Sequence, residues 1–355
     1  MKINIIVPFT VLTGGIKVIF QYANSWIDSG HDVVVYAPLK VYKLNRNGLK
    51  GDLKAIIRSN LNYIKYIVMK KGVDWFPCRF HVKWVPNICD KYIRDGDCVI
   101  ATAWPTAYDV YNLNNLKGSK VYFVQHYETW SGEKDRVDGS YELNMKKVAI
   151  AQWLKDLMEN KFHDNNTEVV YNGIDTKEFY PENKKSDKVD YLMLLYHPEE
   201  WKGYKEGVKV FKTLKLKYPH LKLLVFGSDN CNDLPEDSEF FLSPSREVLR
   251  GLYNKADLFL FTSKFEGWGL TPLEAMACMC PVVGSDTGCI KECFEDGVNV
   301  MKADPQDIAA FSNKAEKLIL DNALRARIAE NAFEIIQTFS IEKSAERFLE
   351  IIKNP

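Results

Sequence analysis

Short apolar runs recur along this chain between longer amphipathic stretches, and this alternation constrains the fold more than any other feature. In the first half, Ile3–Val7, Asp32–Tyr36, Cys98–Ala103, Val121–Gln125, Lys147–Ala151 and Glu168–Tyr171 read as strands. Gly15–Ser29, between the first two, reads as an amphipathic helix closed by Gly30. The second half repeats the pattern at Tyr191–Tyr196, Leu221–Phe226, Phe240–Leu242, Leu258–Phe261 and Pro281–Gly284. A strand that is apolar on both faces must be covered on both, which is the condition of a parallel sheet flanked by helices. The alternation therefore predicts an α/β chain of doubly wound parallel sheets. At 355 residues there is material for two domains of ordinary size. The polar stretch Asn172–Lys188, containing Pro181, Lys184 and Lys185, is the expected boundary, giving domains 1-180 and 181-338.

Composition narrows the class. Apolar residues make up 46% and charged residues 26%, as in a globular protein, and the formal net charge of +0 supplies no global field toward nucleic acid. The eight cysteines are scattered and the opening Met1–Pro8 reads as a strand rather than a signal peptide, so free thiols in a cytoplasmic protein are expected. Cys278, Cys280, Cys289 and Cys293 lack the spacing of common zinc frameworks and read as small buried thiols. Asp95-Gly96-Asp97 imitates a metal-binding D-x-D but directly precedes a strand and reads as a turn, so no metal is required.

The richest chemistry lies where the apolar run Asp257–Ser263 leads into Glu266-Gly-Trp-Gly-Leu-Thr-Pro-Leu-Glu274. Thr271, Pro272 and Glu274 form a helix-start pattern, with a hydroxyl as N-cap, proline in the first helical position and glutamate in the third. A helix N-terminus offers free N–H groups and a positive dipole end, which suit a phosphate. Gly267 and Gly269 carry no Cβ and let backbone approach a ligand. Glu266 and Glu274 are acceptors suited to sugar or ribose hydroxyls. Each also has an ordinary reading: a solvated loop carboxylate for Glu266, a capping-box residue for Glu274.

With its strand, the E-A-M-A helix, the P-V-V run and Glu292, this segment resembles the donor-site signature of retaining family 4 glycosyltransferases of the GT-B fold. The resemblance implies two Rossmann-like domains facing a cleft, the first on the acceptor side and the second binding a nucleotide-sugar. It also implies a C-terminal helix over 339-355 packing back on the first domain. It assigns Glu266 to hydroxyls of the transferred sugar, loop N–H groups across Gly267, Trp268, Gly269, Leu270 and Thr271 to the phosphate side, and Glu274 to the ribose. Lys202-Gly203 resembles the family's Lys-Gly at the diphosphate, while His197 stands where the family has an arginine. His126, ending the run Val121–His126, matches a family histidine near the donor sugar, with a core histidine as the rival reading. Gly14-Gly15 resembles the family's flexible first loop; the spacing is not G-x-G-x-x-G, so a dinucleotide cofactor is not expected. Asn172-Gly173-Ile174-Asp175 matches a hinge-side turn.

The resulting expectation is a metal-independent, retaining hexosyl- or deoxyhexosyl-transferase without a cofactor, with Glu266, His126 and Lys202 as its catalytic group. Its partners would be a UDP-, GDP- or dTDP-sugar and a saccharide or lipid-linked acceptor in capsular, cell-envelope or other polysaccharide assembly. A glycoside hydrolase and a non-catalytic nucleotide-sugar-binding subunit are the rivals. Between Lys40 and Lys71, nine basic residues face the single acid Asp52, with Leu53, Ile56, Ile57, Leu61, Ile64 and Val68 at helical spacing. This segment, 40-71, reads either as a basic amphipathic helix on the inner face of an anionic membrane or as a core-packed helix with a solvated basic face.

Overall fold

A computed structural model describes residues 1–39, 42, 64, 73–182 and 187–353. It falls into two compact units, Met1–Asn172 with Ile341–Pro355, and Gly173–Ser340. Most of the basic segment 40-71 lies outside the described residues.

The first unit is built on a seven-stranded sheet of β1 (Lys2–Ile6), β2 (Asp32–Pro38), β3 (His81–Val85), β4 (Cys98–Ala101), β5 (Ser119–Val124), β6 (Lys146–Ala149) and β7 (Glu168–Val169). Their spatial order is β3-β2-β1-β4-β5-β6-β7, with every pairing parallel. Its helices include α1 (Gly14–Asp28), α2 (Trp104–Tyr111), α3 (Lys134–Tyr141) and α4 (Gln152–Phe162). Thr13 caps α1 by accepting the Ile16 N–H at 3.3 Å.

The second unit has a six-stranded parallel sheet in the order β10-β9-β8-β11-β12-β13. These are β8 (Tyr191–Leu195), β9 (Lys222–Gly227), β10 (Ser238–Leu242), β11 (Leu258–Phe261), β12 (Val282–Ser285) and β13 (Met301–Ala303). Its helices are α5 (Tyr204–Lys217), α6 (Arg246–Lys255), α7 (Leu270–Ala277), α8 (Gly288–Cys293), α9 (Ile308–Leu320) and α10 (Asn322–Ile336). Leu192, Leu194, Leu223, Val225, Leu258, Leu260 and Val283 are buried in its core, as strands covered on both faces require. Both sheets are Rossmann-like and doubly wound.

The last helix, α11 (Ile341–Lys353), belongs to the first unit. Trp26 Nε1 donates to the Ala345 carbonyl at 2.8 Å, and the Phe348 ring lies 5.5 Å from Trp26 and 5.1 Å from Phe123. The division between units falls at 172/173 instead of the expected 180/181. Residues after Asn172 are tied into the second unit. Ile174 bridges to Ser340, Phe179 is 1% exposed with its ring 6.0 Å from that of Tyr253, and the Glu182 N–H donates to Asn254 Oδ1 at 2.7 Å. The polar composition there marks a surface turn folded onto that unit.

Among the described residues, no helix is long and apolar enough to cross a membrane.

Candidate active site

In the second sheet the strand order reverses between β8 and β11, and the crevice outside the carboxyl ends of strands at such a point is where doubly wound sheets take ligands. Lys202 follows β8 and Glu266 follows β11, so both sit beside that point. Residues Glu200–Lys202 make one 3-10 turn, closed by Gly203 at φ 71°. The Gly203 carbonyl accepts from Thr262 Oγ1 at 2.7 Å, and the Lys264 N–H donates to the Trp201 carbonyl at 2.8 Å. These bonds stitch the two loops together. Lys202 Nζ then reaches Glu266 Oε1 at 2.7 Å and Oε2 at 2.9 Å.

The glycine loop differs from its expected geometry. Helix α7 begins at Leu270 with Gly269 as its N-cap, at φ 93°. Thr271 is therefore inside the first turn, Pro272 is the third helical residue, and no capping box forms. The reason lies in α8: the Cys289 N–H donates to the Trp268 carbonyl at 2.6 Å and Cys289 Sγ to the Gly269 carbonyl at 3.2 Å, which fixes the loop backbone. A Cβ on Gly288 would lie 2.3 Å from the Trp268 oxygen, so α8 can approach this closely only because that residue is glycine. Trp268 is 2% exposed, its indole 6.1 Å from the Phe339 ring, so this residue offers a ligand its backbone and not its ring. The N–H groups of Leu270 and Thr271 belong to the open first turn of α7, with Pro272 contributing none.

Glu274, freed from capping, is 4% exposed. Tyr253 Oη donates to its Oε2 at 3.3 Å, and the Arg246 guanidinium lies 3.6 Å from its Oε1 and 3.6 Å from Glu178 Oε1. Sequence reasoning missed Arg246 and Tyr253. Nothing local marks them, since α6 reads as an ordinary helix capped by Ser245; only its packing beside α7 brings them to Glu274.

Residues 175–335 match the family described as "Glycosyl transferases group 1". That segment, less than half of the chain, is similar to the glycosyl transferases group 1. The match falls wholly within the second unit, the one that holds Lys202, Glu266 and Glu274. The chain is 28% identical over 246 residues to the capsular polysaccharide biosynthesis glycosyltransferase CapM of Staphylococcus aureus, covering 62% of this chain and 63% of CapM, which is less than two thirds of its length. Its fold is similar to that of two solved structures. Anabaena HepE, solved with UDP and glucose, aligns with a TM-score of 0.73 at 17% identity over 100% of both chains. Staphylococcus aureus TarM, solved with fondaparinux, alpha-GlcNAc-glycerol and UDP, aligns with a TM-score of 0.74 at 15% identity over 99% of both. These likenesses place the chain in the GT-B architecture.

His197 sits beside Lys202. Burial, followed by the Lys202 charge, holds its imidazole below the ordinary range, and Nδ1 accepts the Glu199 N–H at 3.2 Å. That shift favours the neutral imidazole in the ligand-free protein, whereas an arginine at this place would stay charged.

Gly15 and His126 belong to the first unit. Gly15 lies in the first turn of α1, where a Cβ would meet Gln125 Oε1 at 2.9 Å. His126 follows β5; its ring lies 4.3 Å from Trp130 and 5.8 Å from Trp153, both edge-on, and its carbonyl accepts from Tyr141 Oη at 2.9 Å. Two residues on, Glu128 accepts the Trp104 N–H at 2.8 Å, and burial pushes its carboxyl up to about 7. A carboxyl raised on folding contributes stability that is complete below its unfolded value and lost as pH rises through the folded one. Glu128→Gln, neutral yet still able to accept from Trp104, is therefore expected to exceed wild type in urea midpoint at about pH 8 and to approach it at about pH 4, below the unfolded value. Equal midpoints at both would count against this placement.

A cavity of about 1360 Å³ opens at the amino ends of β5 and β6, lined by Asn115, Lys120, Asn144 and Asn166. It lies at the opposite end of the first sheet from His126.

Proposed function

We propose that the protein is a retaining, metal-independent glycosyltransferase that moves a sugar from a nucleotide-sugar to an acceptor hydroxyl. The observation carrying this reading is that Lys202, Glu266 and the open first turn of α7 all stand at the switch point of the family-matched sheet. In this reading Lys202 and the Leu270 and Thr271 N–H groups face the diphosphate, Glu266 accepts from hydroxyls of the transferred sugar, and Glu274, backed by Tyr253 and Arg246, accepts from the ribose. As the bond to the anomeric carbon breaks, negative charge grows on the leaving diphosphate, and the groups fixed around it stabilise that charge. The acceptor attacks from the face the diphosphate leaves, and the leaving phosphate takes the acceptor's proton, so no dedicated base is needed. The family resemblance supports assigning the acceptor to the first unit, with His126 as a candidate residue for it. The likeness to CapM supports capsular or other cell-envelope polysaccharide assembly as the setting. Association of 40-71 with the inner face of an anionic membrane remains part of the proposal for a lipid-linked acceptor.

A thermal-shift panel of UDP, GDP, dTDP and ADP, followed by transfer assays with the corresponding sugars, tests the reading, since a ligand specific for the folded state raises its melting point. UDP leads the panel because the HepE and TarM structures contain it. Release of free sugar from a simple glycoside without nucleotide would favour a hydrolase. Donor binding with neither transfer nor donor hydrolysis would favour the non-catalytic subunit, which the neutral His197 makes the stronger rival.

His197 gives a pH signature. A diphosphate beside the imidazole favours its cation, so the complex binds a proton that the free protein lacks, and affinity must rise as pH falls from neutrality. Titration with a nucleotide-sugar, whose diphosphate does not ionise near neutrality, should show that rise in wild type and a flat profile in His197→Arg. A flat wild-type profile would remove His197 from the site.

A further inference from the structure

The two groups that a donor needs most are bound to each other. Lys202 Nζ bridges both oxygens of Glu266 at 2.7 and 2.9 Å, with side chains only 18% and 8% exposed. The ammonium also lies 4.3 Å from the centroid of the Trp201 ring. An anion on one side and a π-face on the other thus neutralise the charge meant to meet a diphosphate. A carboxylate so close repels any phosphate that approaches the same ammonium.

Resting on the glycosyltransferase reading, we propose that the Lys202–Glu266 ion pair is an internal competitor for the diphosphate, opened when a nucleotide-sugar binds and re-formed as the nucleotide leaves. Opening the pair leaves Glu266 in a nearly dry position without its cation, which is unfavourable unless hydrogen-bond donors replace it. Hydroxyls of the donor's sugar are such donors. A nucleoside diphosphate alone has none to offer at that position. The phosphate and sugar subsites are thereby coupled, each favouring occupation of the other by the same factor. After transfer the sugar is gone, Glu266 recaptures Lys202, and the hold on the diphosphate weakens. The pair thus favours the charged donor over the spent nucleotide and assists product release.

Calorimetric titration at fixed pH and salt tests the exchange, using whichever of UDP, GDP, dTDP and ADP binds. Glu266→Gln keeps the side chain's shape and removes its charge, so it is expected to bind the nucleoside diphosphate about tenfold more tightly than wild type. The gain should vanish in the Lys202→Met background, because without the ammonium there is nothing to release. Glu266→Asp, too short to bridge as closely, should show a smaller gain and serves if the glutamine variant does not fold. Nucleotide binding in wild type that neither Glu266 variant tightens overturns the exchange alone. Absence of binding by wild type and all variants removes the glycosyltransferase reading and the exchange with it.

Discussion

Lys202→Met is expected to slow sugar transfer by about 10²–10³-fold, the usual loss when one preorganised donor to a developing oxyanion is removed. The effect should fall mainly on kcat, since charge on the leaving diphosphate grows as the bond breaks. A second consequence is separable. Glu266 is 7% exposed, and without its cation it becomes a buried charge lacking its bidentate partner. That orphaning is expected to lower stability by about 1–3 kcal/mol, read as a reduced urea midpoint. Glu266→Gln in the same background should restore the midpoint without restoring transfer. Full activity in Lys202→Met would remove the lysine from the chemistry and leave it a structural ion-pair residue.

The second large effect belongs to a residue with no side chain. Gly203 holds φ 71°, and a Cβ there would lie 1.8 Å from the Thr262 carbonyl oxygen. Left-handed backbone costs an alanine about 1–2 kcal/mol by itself. The clash adds an overpacking cost of about 1–3 kcal/mol, because the obstacle is backbone and cannot rotate away. Gly203→Ala is therefore expected to lower the urea midpoint clearly and to abolish transfer, since the displaced turn carries Lys202. Gly251→Ala is the control. It lies on α6 with nothing within 4 Å of an added Cβ, and the gain in helix propensity should stabilise by up to about 1 kcal/mol. If Gly203→Ala matches wild type in both stability and transfer, the stitched-loop geometry is wrong.

These two residues show how legibility divided. The buried strands were readable because covered parallel strands are apolar along their length: Leu258–Phe261 is buried at every position. Two strands escaped notice. His81–Val85 reads His-Val-Lys-Trp-Val with an exposed, polar-interrupted pattern, because β3 is the sheet's edge. Met301–Ala303 is three residues long, and β13 forms the other sheet's edge. The helix start was misplaced for a related reason. Thr271, Pro272 and Glu274 satisfy a local capping rule, yet the backbone bonds from Cys289 hold the loop so that Gly269 caps the helix.

The sequence by itself determined the α/β alternation, the glycine loop with its two carboxylates, and the family resemblance, because each is written in adjacent residues. Only the tertiary structure decided which groups meet. Lys202 and Glu266 are 64 residues apart, and they pair because β8 and β11 are neighbours where the strand order reverses. Arg246 and Tyr253 reach Glu274 because α6 packs against α7, and α11 returns to the first unit through Trp26. Periodicity specifies that a segment is a strand or a helix. It does not specify the neighbour, since burial rewards any apolar surface that fits and the choice among partners is made by the whole packed unit.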